Sequence, residues 1–247
     1  MNDVAHHAVE AVRAPTADGA ILFDSRRLAQ AEPDLLRAAR WSHAEHTQDR
    51  GGRGAVRFVR GEFGEGVLRH YRRGGLVGRV NQDRYLWRGE EATRSFREFR
   101  LLADLQARGF AVPAPIAAGY DRHGAFYRAD LLTALIPQAR TLAELLAGAF
   151  PPPELWHRIG ATLARFHQAG VYHADLNAHN VMIDRQPRVW LIDFDRGELR
   201  PPHEDWMRAN LARLLRSLRK LGATHAGGWH EAWAALHRGY AAPEAAA

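Results

Sequence analysis

Two short apolar runs, Val181-Met182-Ile183 and Val189-Trp190-Leu191-Ile192, stand either side of a polar turn, Asp184-Arg185-Gln186-Pro187-Arg188. Pro and Asp favour turns, and paired apolar runs around such a turn read as an antiparallel hairpin. What borders the hairpin constrains the chain more than any other stretch. Asn180 precedes the first run and Asp193 follows the second, while Asp175 lies in the loop leading in, Tyr172-His173-Ala174-Asp175-Leu176-Asn177-Ala178-His179-Asn180. A hairpin returns the chain to its starting end, so Asn180 and Asp193 are expected to finish as neighbours there. Converging oxygen donors suit Mg²⁺, which also takes oxygens from substrate phosphates. A carboxylate beside the ion can accept a proton from an attacking hydroxyl. Asp175 is therefore the candidate base, and Asn180 and Asp193 are the candidate metal ligands. Any one of them alone is an ordinary loop residue capping a buried hairpin; the combination carries the chemistry.

The rest of the chain is long enough to build around this segment. With 247 residues and 46% hydrophobic content, one large domain or two lobes with a shared cleft can bury a substantial core. There is no cysteine, which excludes disulfides and thiolate metal sites. The first ten residues lack a basic-then-apolar signal pattern, and no apolar run approaches the ~20 residues of a membrane span. A soluble or peripheral protein is expected.

Basic residues are nearly all arginine, Lys220 being the only lysine, and the net charge is +6. Residues 50–100 hold 13 Arg against 6 Asp and Glu. Such a basic region suits a polyanionic partner, namely nucleotide phosphates, nucleic acid or an anionic membrane surface, although a solvated arginine-rich surface explains it equally well. No stacking signature or helix-turn-helix marks a nucleic-acid binder, so no nucleic-acid partner is expected.

Periodicity divides the chain into a β-rich first part, 1–135, and a mainly helical second part, 136–247. Strands are expected at 19–23, 55–59, 67–71 and 126–132, with a glycine-rich turn at 61–66 and a short helix at 33–41 that turns Leu35 and Leu36 inward. Phe96, Phe99, Leu102 and Leu105 recur every three residues, which predicts a helix over 90–108 ended by Gly109. Ile136-Pro137-Gln138 reads as a hinge, after which Thr141 caps a helix over 142–146. Pro151-Pro152-Pro153 starts a helix with Leu155, Ile159, Leu163 and Phe166 on one face, terminated by Gly170. Further helices are expected over 206–221 and 229–236, before an alanine-rich tail that should fray.

With these residues in view, the chain resembles the protein-kinase-like phosphotransferases, and within them the lipopolysaccharide kinase family, most closely the Kdo (3-deoxy-D-manno-octulosonic acid) kinases. The resemblance covers about residues 51–220. Its most specific stretches are Val67-Leu68-Arg69-His70-Tyr71-Arg72-Arg73-Gly74-Gly75-Leu76, His173-Ala174-Asp175-Leu176-Asn177-Ala178-His179-Asn180 and Leu191-Ile192-Asp193-Phe194-Asp195-Arg196-Gly197. It implies an α+β, bilobal protein-kinase-like fold, with a small antiparallel-sheet lobe, a mainly helical lobe and the active site in the cleft. It implies ATP and Mg²⁺ as cofactors and transfer of phosphate to the 4-hydroxyl of Kdo on a lipid A precursor. The setting it implies is peripheral, at the cytoplasmic face of a Gram-negative inner membrane, with Kdo-lipid A as acceptor.

On this resemblance Asp175 takes the hydroxyl proton, Asn180 and Asp193 hold Mg²⁺, and His173 braces the loop. The usual small-lobe lysine is missing; Arg69 occupies the matching place as a candidate phosphate-binding residue, with Glu98 as its helix partner. Gly51, Gly52 and Gly54 are candidates for covering phosphates with backbone N–H groups, although a plain hairpin turn explains them as well. The usual Asp-Phe-Gly reads Asp193-Phe194-Asp195, and no long activation segment separates it from the helix at 206. That favours a small or lipid-linked acceptor over a docked peptide. Three other readings stay open: a kinase of the same fold acting on an aminoglycoside, choline or another sugar; a pseudokinase that binds nucleotide or membrane; and, on charge alone, a nucleic-acid binder.

Overall fold

The structure is a computed structural model that describes residues 8–41, 47–48, 56–72 and 83–242. Its contacts divide the chain into two compact units, one of Met1–Gly109 with Pro113–Leu135, the other of Phe110–Val112 with Ile136–Ala247.

The first unit is built on an eight-stranded antiparallel sheet. Strands β1 (Ala11–Pro15), β2 (Gly19–Asp24), β3 (Thr47–Gln48), β4 (Val56–Gly61), β5 (Gly64–His70), β6 (Tyr85–Leu86), β7 (Pro115–His123) and β8 (Phe126–Ala134) are arranged β1-β2-β7-β8-β5-β4-β3, with β6 also pairing with β8. Central β7 is apolar along most of its length because both of its faces are covered. Tyr120 on β7 meets Phe96 of helix α1 (Arg94–Ala107) with ring centroids 5.4 Å apart. The neighbouring Gly119 leaves room for Leu36 on the other face, where a Cβ would lie 2.6 Å from the leucine Cδ1. Phe96, Phe99, Leu102 and Leu105 of α1 are all buried, as their spacing predicts.

Two local expectations are corrected here. Residues 33–41 form no α-helix: successive i→i+3 bonds (Leu35 N to Glu32 O, Arg37 N to Asp34 O, Arg40 N to Arg37 O) make turns that end in a 3₁₀ segment, Ala38–Trp41. Leu35 and Leu36 are both buried, as expected, and the Trp41 indole N–H donates to Leu35 O at 2.9 Å. Two adjacent inward side chains suit a turn better than one helix face. Likewise α1 begins at Arg94 rather than at 90. Glu90–Ala92 is a separate 3₁₀ turn and Thr93 is extended, its hydroxyl donating to Glu90 O at 2.7 Å. The Glu90 carboxylate is taken by Arg13 (2.7 and 2.8 Å) and by the Tyr120 hydroxyl (2.7 Å).

The second unit is mainly helical, with α2 (Leu142–Leu146), α3 (Pro153–Gln168), α4 (Glu204–Lys220) and α5 (Trp229–Ala241). Short strands β9 (Arg140–Thr141), β11 (Val181–Ile183) and β12 (Val189–Leu191) form one small sheet, and β10 (Val171–Tyr172) pairs with β13 (Glu198–Leu199). Thr141 starts α2 through a reciprocal capping box with Glu144. On α3 the expected face is one residue out at its start: Trp156 is fully buried, while Leu155 is only half-buried. The helix at 229 runs on to Ala241, because Gly239 lets α5 lie directly on α3. A Cβ on Gly239 would sit 2.0 Å from His157 O, and one on Gly160 of α3 would sit 1.9 Å from Leu236 O. The two backbones touch at a pair of glycines. Sheet-rich and helix-rich units together make the α+β class expected from the sequence.

Candidate active site

The β11–β12 hairpin pairs Val181 with Leu191, Met182 with Trp190 and Ile183 with Val189. Asp184 closes its turn, with Oδ1 accepting from the backbone N–H groups of Gln186 and Arg188 (2.9 Å each) and Oδ2 accepting from the Trp190 indole (2.8 Å). At the open end Ile192 N donates to Asn180 O at 3.1 Å. This bond places Asn180 opposite the residue just before Asp193, so the structure brings these two candidates together at one end. Asp193 has φ 62°, the left-handed region that asparagine and aspartate tolerate better than most residues.

The preceding loop is tied from inside. The carbonyl of Asp175 accepts from both the Asn177 and Asn180 side-chain amides, each at 2.9 Å. A carbonyl can only accept, so the Asn180 amide must point its nitrogen there, which leaves its oxygen as the outward acceptor end. Asn177 also accepts from His179 N at 2.8 Å, so both ends of its amide brace the loop. Two contacts from elsewhere in the unit hold Ala178: its N–H donates to Ser217 Oγ of α4 (3.1 Å), and its carbonyl accepts from Ala143 N of α2 (3.0 Å).

His173 links the loop of Asp175 to the hairpin end that carries Asn180 and Asp193. One ring nitrogen, Nε2, lies 2.9 Å from Ile192 O, and Asp175 N donates to the other, Nδ1, at 3.2 Å. A carbonyl needs a donor and an N–H needs an acceptor, so the two partners fix the neutral Nε2–H tautomer. Burial lowers the imidazole's pKa, an effect only partly opposed by the Ile192 hydrogen bond and the charges of Asp193 and Asp175. The ring packs on Phe194 at 4.8 Å, and Phe194 in turn stacks on Phe166 of α3.

Arg69 and Glu98 are joined within the first unit. Arg69 Nη2 lies 2.5 Å from Glu98 Oε2, and the Tyr71 hydroxyl donates to the same oxygen at 2.6 Å. The guanidinium also lies over the Tyr71 ring, 4.7 Å from its centroid. Glu98 is buried, not an ordinary surface glutamate of α1. A carboxylate taken out of water requires such partners. Gly51, Gly52 and Gly54 lie outside the described residues, as do Gly74, Gly75 and Leu76.

Two contributors carry no sequence signal. Ser217 and Arg213, one turn apart on α4, both reach the loop; Arg213 Nη1 lies 4.0 Å from Asp175 Oδ1. They stand about forty positions from the residues they meet, inside an ordinary amphipathic helix.

Residues 38–240 match the lipopolysaccharide kinase (Kdo/WaaP) family. The chain belongs to that family. It is 48% identical over 219 residues to a 3-deoxy-D-manno-octulosonic acid kinase of Stenotrophomonas maltophilia (strain R551-3), covering 88% of this chain and 87% of the relative. It is 51% identical over 205 residues to a protein of the same name from Xanthomonas campestris pv. campestris (strain B100), covering 82% and 81%. A Xylella fastidiosa (strain M23) protein, also so named, is 48% identical over 204 residues, covering 83% and 82%. As a member of the Kdo/WaaP family the chain is an enzyme, a phosphotransferase, and its α+β architecture is the class the family resemblance implies. Among the described residues no helix is long and apolar enough to cross a membrane.

Proposed function

We propose that this protein phosphorylates the 4-hydroxyl of a Kdo sugar on a Kdo-lipid A acceptor, using ATP and Mg²⁺. The observation that carries the reading is the loop closure described above, in a chain whose relatives are named 3-deoxy-D-manno-octulosonic acid kinases. The shared acceptors on Asp175 O and the His173 bridge hold Asp175, Asn180 and Asp193 to one end of one hairpin.

In this reading the Asp175 carboxylate orients the acceptor hydroxyl and takes its proton as the oxygen attacks the γ-phosphorus, while the γ-phosphorus bond to the β,γ-bridging oxygen breaks and ADP leaves. A sugar hydroxyl is a weak nucleophile, and phosphoryl transfer depends mostly on positioning and charge neutralisation. The outward oxygen of Asn180 and the Asp193 carboxylate would hold Mg²⁺. Two hard oxygen donors suit an ion that completes its octahedron with waters and phosphate oxygens. Magnesium, when bound, neutralises charge on the phosphates. His173 stays neutral and keeps the base in register with the ligand end. In the first unit Arg69, oriented by Glu98 and Tyr71, would bind nucleotide phosphate in place of a lysine; guanidinium can do so bidentately. The acceptor places the enzyme as a peripheral protein at the cytoplasmic face of the inner membrane. A net charge of +6, concentrated in residues 50–100, supports contact with an anionic lipid surface.

The test is transfer of labelled γ-phosphate from Mg-ATP to Kdo-lipid A, comparing the native chain with Asp175→Ala. Label at O4 of Kdo, reduced about 10²–10⁴-fold in the variant, supports the reading. Metal-dependent ATP turnover without label on Kdo would leave a kinase with another acceptor.

A further inference from the structure

Arg213 is the side chain at the loop whose placement the mechanism above does not use. Its Nη1 lies 4.0 Å from Asp175 Oδ1, beyond hydrogen-bonding distance, and its side chain is 41% exposed. Its Nε is buried without a hydrogen-bond partner among the described residues. Burying a donor without an acceptor is costly, so a position that keeps one calls for an explanation. The position is also fixed. Ser217, one turn further along the same face of α4, accepts the Ala178 N–H, and Asn210 and Leu214 on either side are buried. The helix cannot roll without breaking the loop contact.

A ligand reaches not the buried Nε but the partly exposed end of this guanidinium, and the chemistry of the acceptor suits it. An octulosonic acid carries a carboxylate, ionised at neutral pH. Bringing it against Asp175, itself a carboxylate, sets like charges together unless a cation stands beside the base. We propose that Arg213 binds the acceptor's carboxylate and thereby seats its hydroxyl on Asp175. This inference rests on the Kdo reading above and adds the residue that selects an acid sugar over a neutral one. The donor phosphates belong with Asn180 and Asp193 at the hairpin end; Arg213 stands by the group that meets the acceptor. A guanidinium offers carboxylate a planar two-donor geometry that lysine lacks.

The experiment measures kcat/KM for Kdo-lipid A and for its C1 carboxamide counterpart, using the full chain and its Arg213→Met and Arg213→Lys variants, with circular dichroism to verify folding. The native enzyme is expected to prefer the acid by roughly 30-fold or more, mostly through acceptor KM. Arg213→Met should lose that factor on the acid, lose little further on the carboxamide, and keep its KM for ATP. Arg213→Lys should retain part of the preference. Equal use of acid and carboxamide by the native enzyme would overturn the inference. So would an equal loss on both acceptors in Arg213→Met, which would move Arg213 to the phosphoryl group or to the base. If Arg213→Met does not fold, the native acid-to-amide ratio and the lysine variant decide. Failure of the native enzyme to phosphorylate either acceptor removes the Kdo reading itself, and the inference with it.

Discussion

The two units hold their candidate site residues by different means. In the first, charge holds charge: Glu98 is fixed by Arg69 and Tyr71, and Glu90 by Arg13 and Tyr120. His70 lies between Asp130 (2.8 Å) and Asp83 (3.4 Å), with Arg128 also pairing with Asp83 at 2.8 Å. In the second, the loop carrying Asp175 is held by neutral groups: two asparagine amides, a neutral imidazole, a serine hydroxyl and backbone carbonyls. A cation, Arg213, approaches Asp175 only to 4.0 Å. A framework of neutral groups fixes the backbone of the Asp175 loop through hydrogen bonds alone. A framework of ion pairs fixes side chains strongly, and it fails badly when one partner is lost.

The largest expected effect follows from that last point. Glu98→Ala leaves Arg69 and Tyr71 facing a void without their shared acceptor, and should cost about 3–5 kcal/mol. Urea unfolding measures the loss, and hydrogen exchange should assign it to the first unit. A cost below about 1 kcal/mol would mean that ion pairing does not hold this unit together. Gly160→Ala comes next: its Cβ would collide with Leu236 O at 1.9 Å, and α3 and α5 must separate. A loss of about 3 kcal/mol is expected, confined to the helical unit, because overpacking at backbone contact has no flexible side chain to absorb it.

Asp184→Ala removes the acceptor of three hydrogen bonds in the hairpin turn and should cost about 2 kcal/mol. If neutral bracing controls the site, activity should fall with stability, because the turn sets where Asn180 and Asp193 finish. Unchanged activity in a destabilised variant would uncouple them.

The sharpest contrast is in pH. Buried His167 in α3 lies against Trp206 and Asn210, its Nδ1 hydrogen-bonded with the Tyr240 hydroxyl at 2.7 Å; burial pushes its pKa down to about 4. The unfolded chain takes up this proton near pH 6.5 and the folded one does not. The helical unit should therefore lose stability as pH falls from 6.5 towards 4, at most about 1.4 kcal/mol per pH unit. His70 is shifted the other way, raised by its hydrogen bond to Asp130 against the opposing effect of burial. Its contribution is complete below pH 6.5 and is lost as pH rises through the raised value. Hydrogen exchange at pH 5 and pH 8 should show opposite changes at the two histidines; parallel changes would show that the comparison fails.

Apart from the turns at 33–41, an element that meets its partner locally was readable in the sequence. The hairpin at 181–191, the Thr141 cap and the Phe96-to-Leu105 face of α1 are all encoded by neighbours within a few positions. Legibility ended where the partner is distant in sequence. Glu90 is drawn out of α1 by Arg13 and Tyr120, and Trp156 takes the place of Leu155 because of where α5 passes. Nothing near Arg213 or Ser217 announces the loop they touch. The candidate site residues were visible because they border one short hairpin; the groups that hold them were not.

The double constraint on His173 also gives this enzyme a built-in spectroscopic reporter. A ring proton shut away from water and fixed on the Ile192 carbonyl should exchange slowly. It should then appear as a discrete downfield proton resonance coupled to one imidazole nitrogen. Its presence would report that the loop is assembled in a preparation that has lost activity for some other reason, and its broadening would reveal loosening of the loop before any loss of helix content.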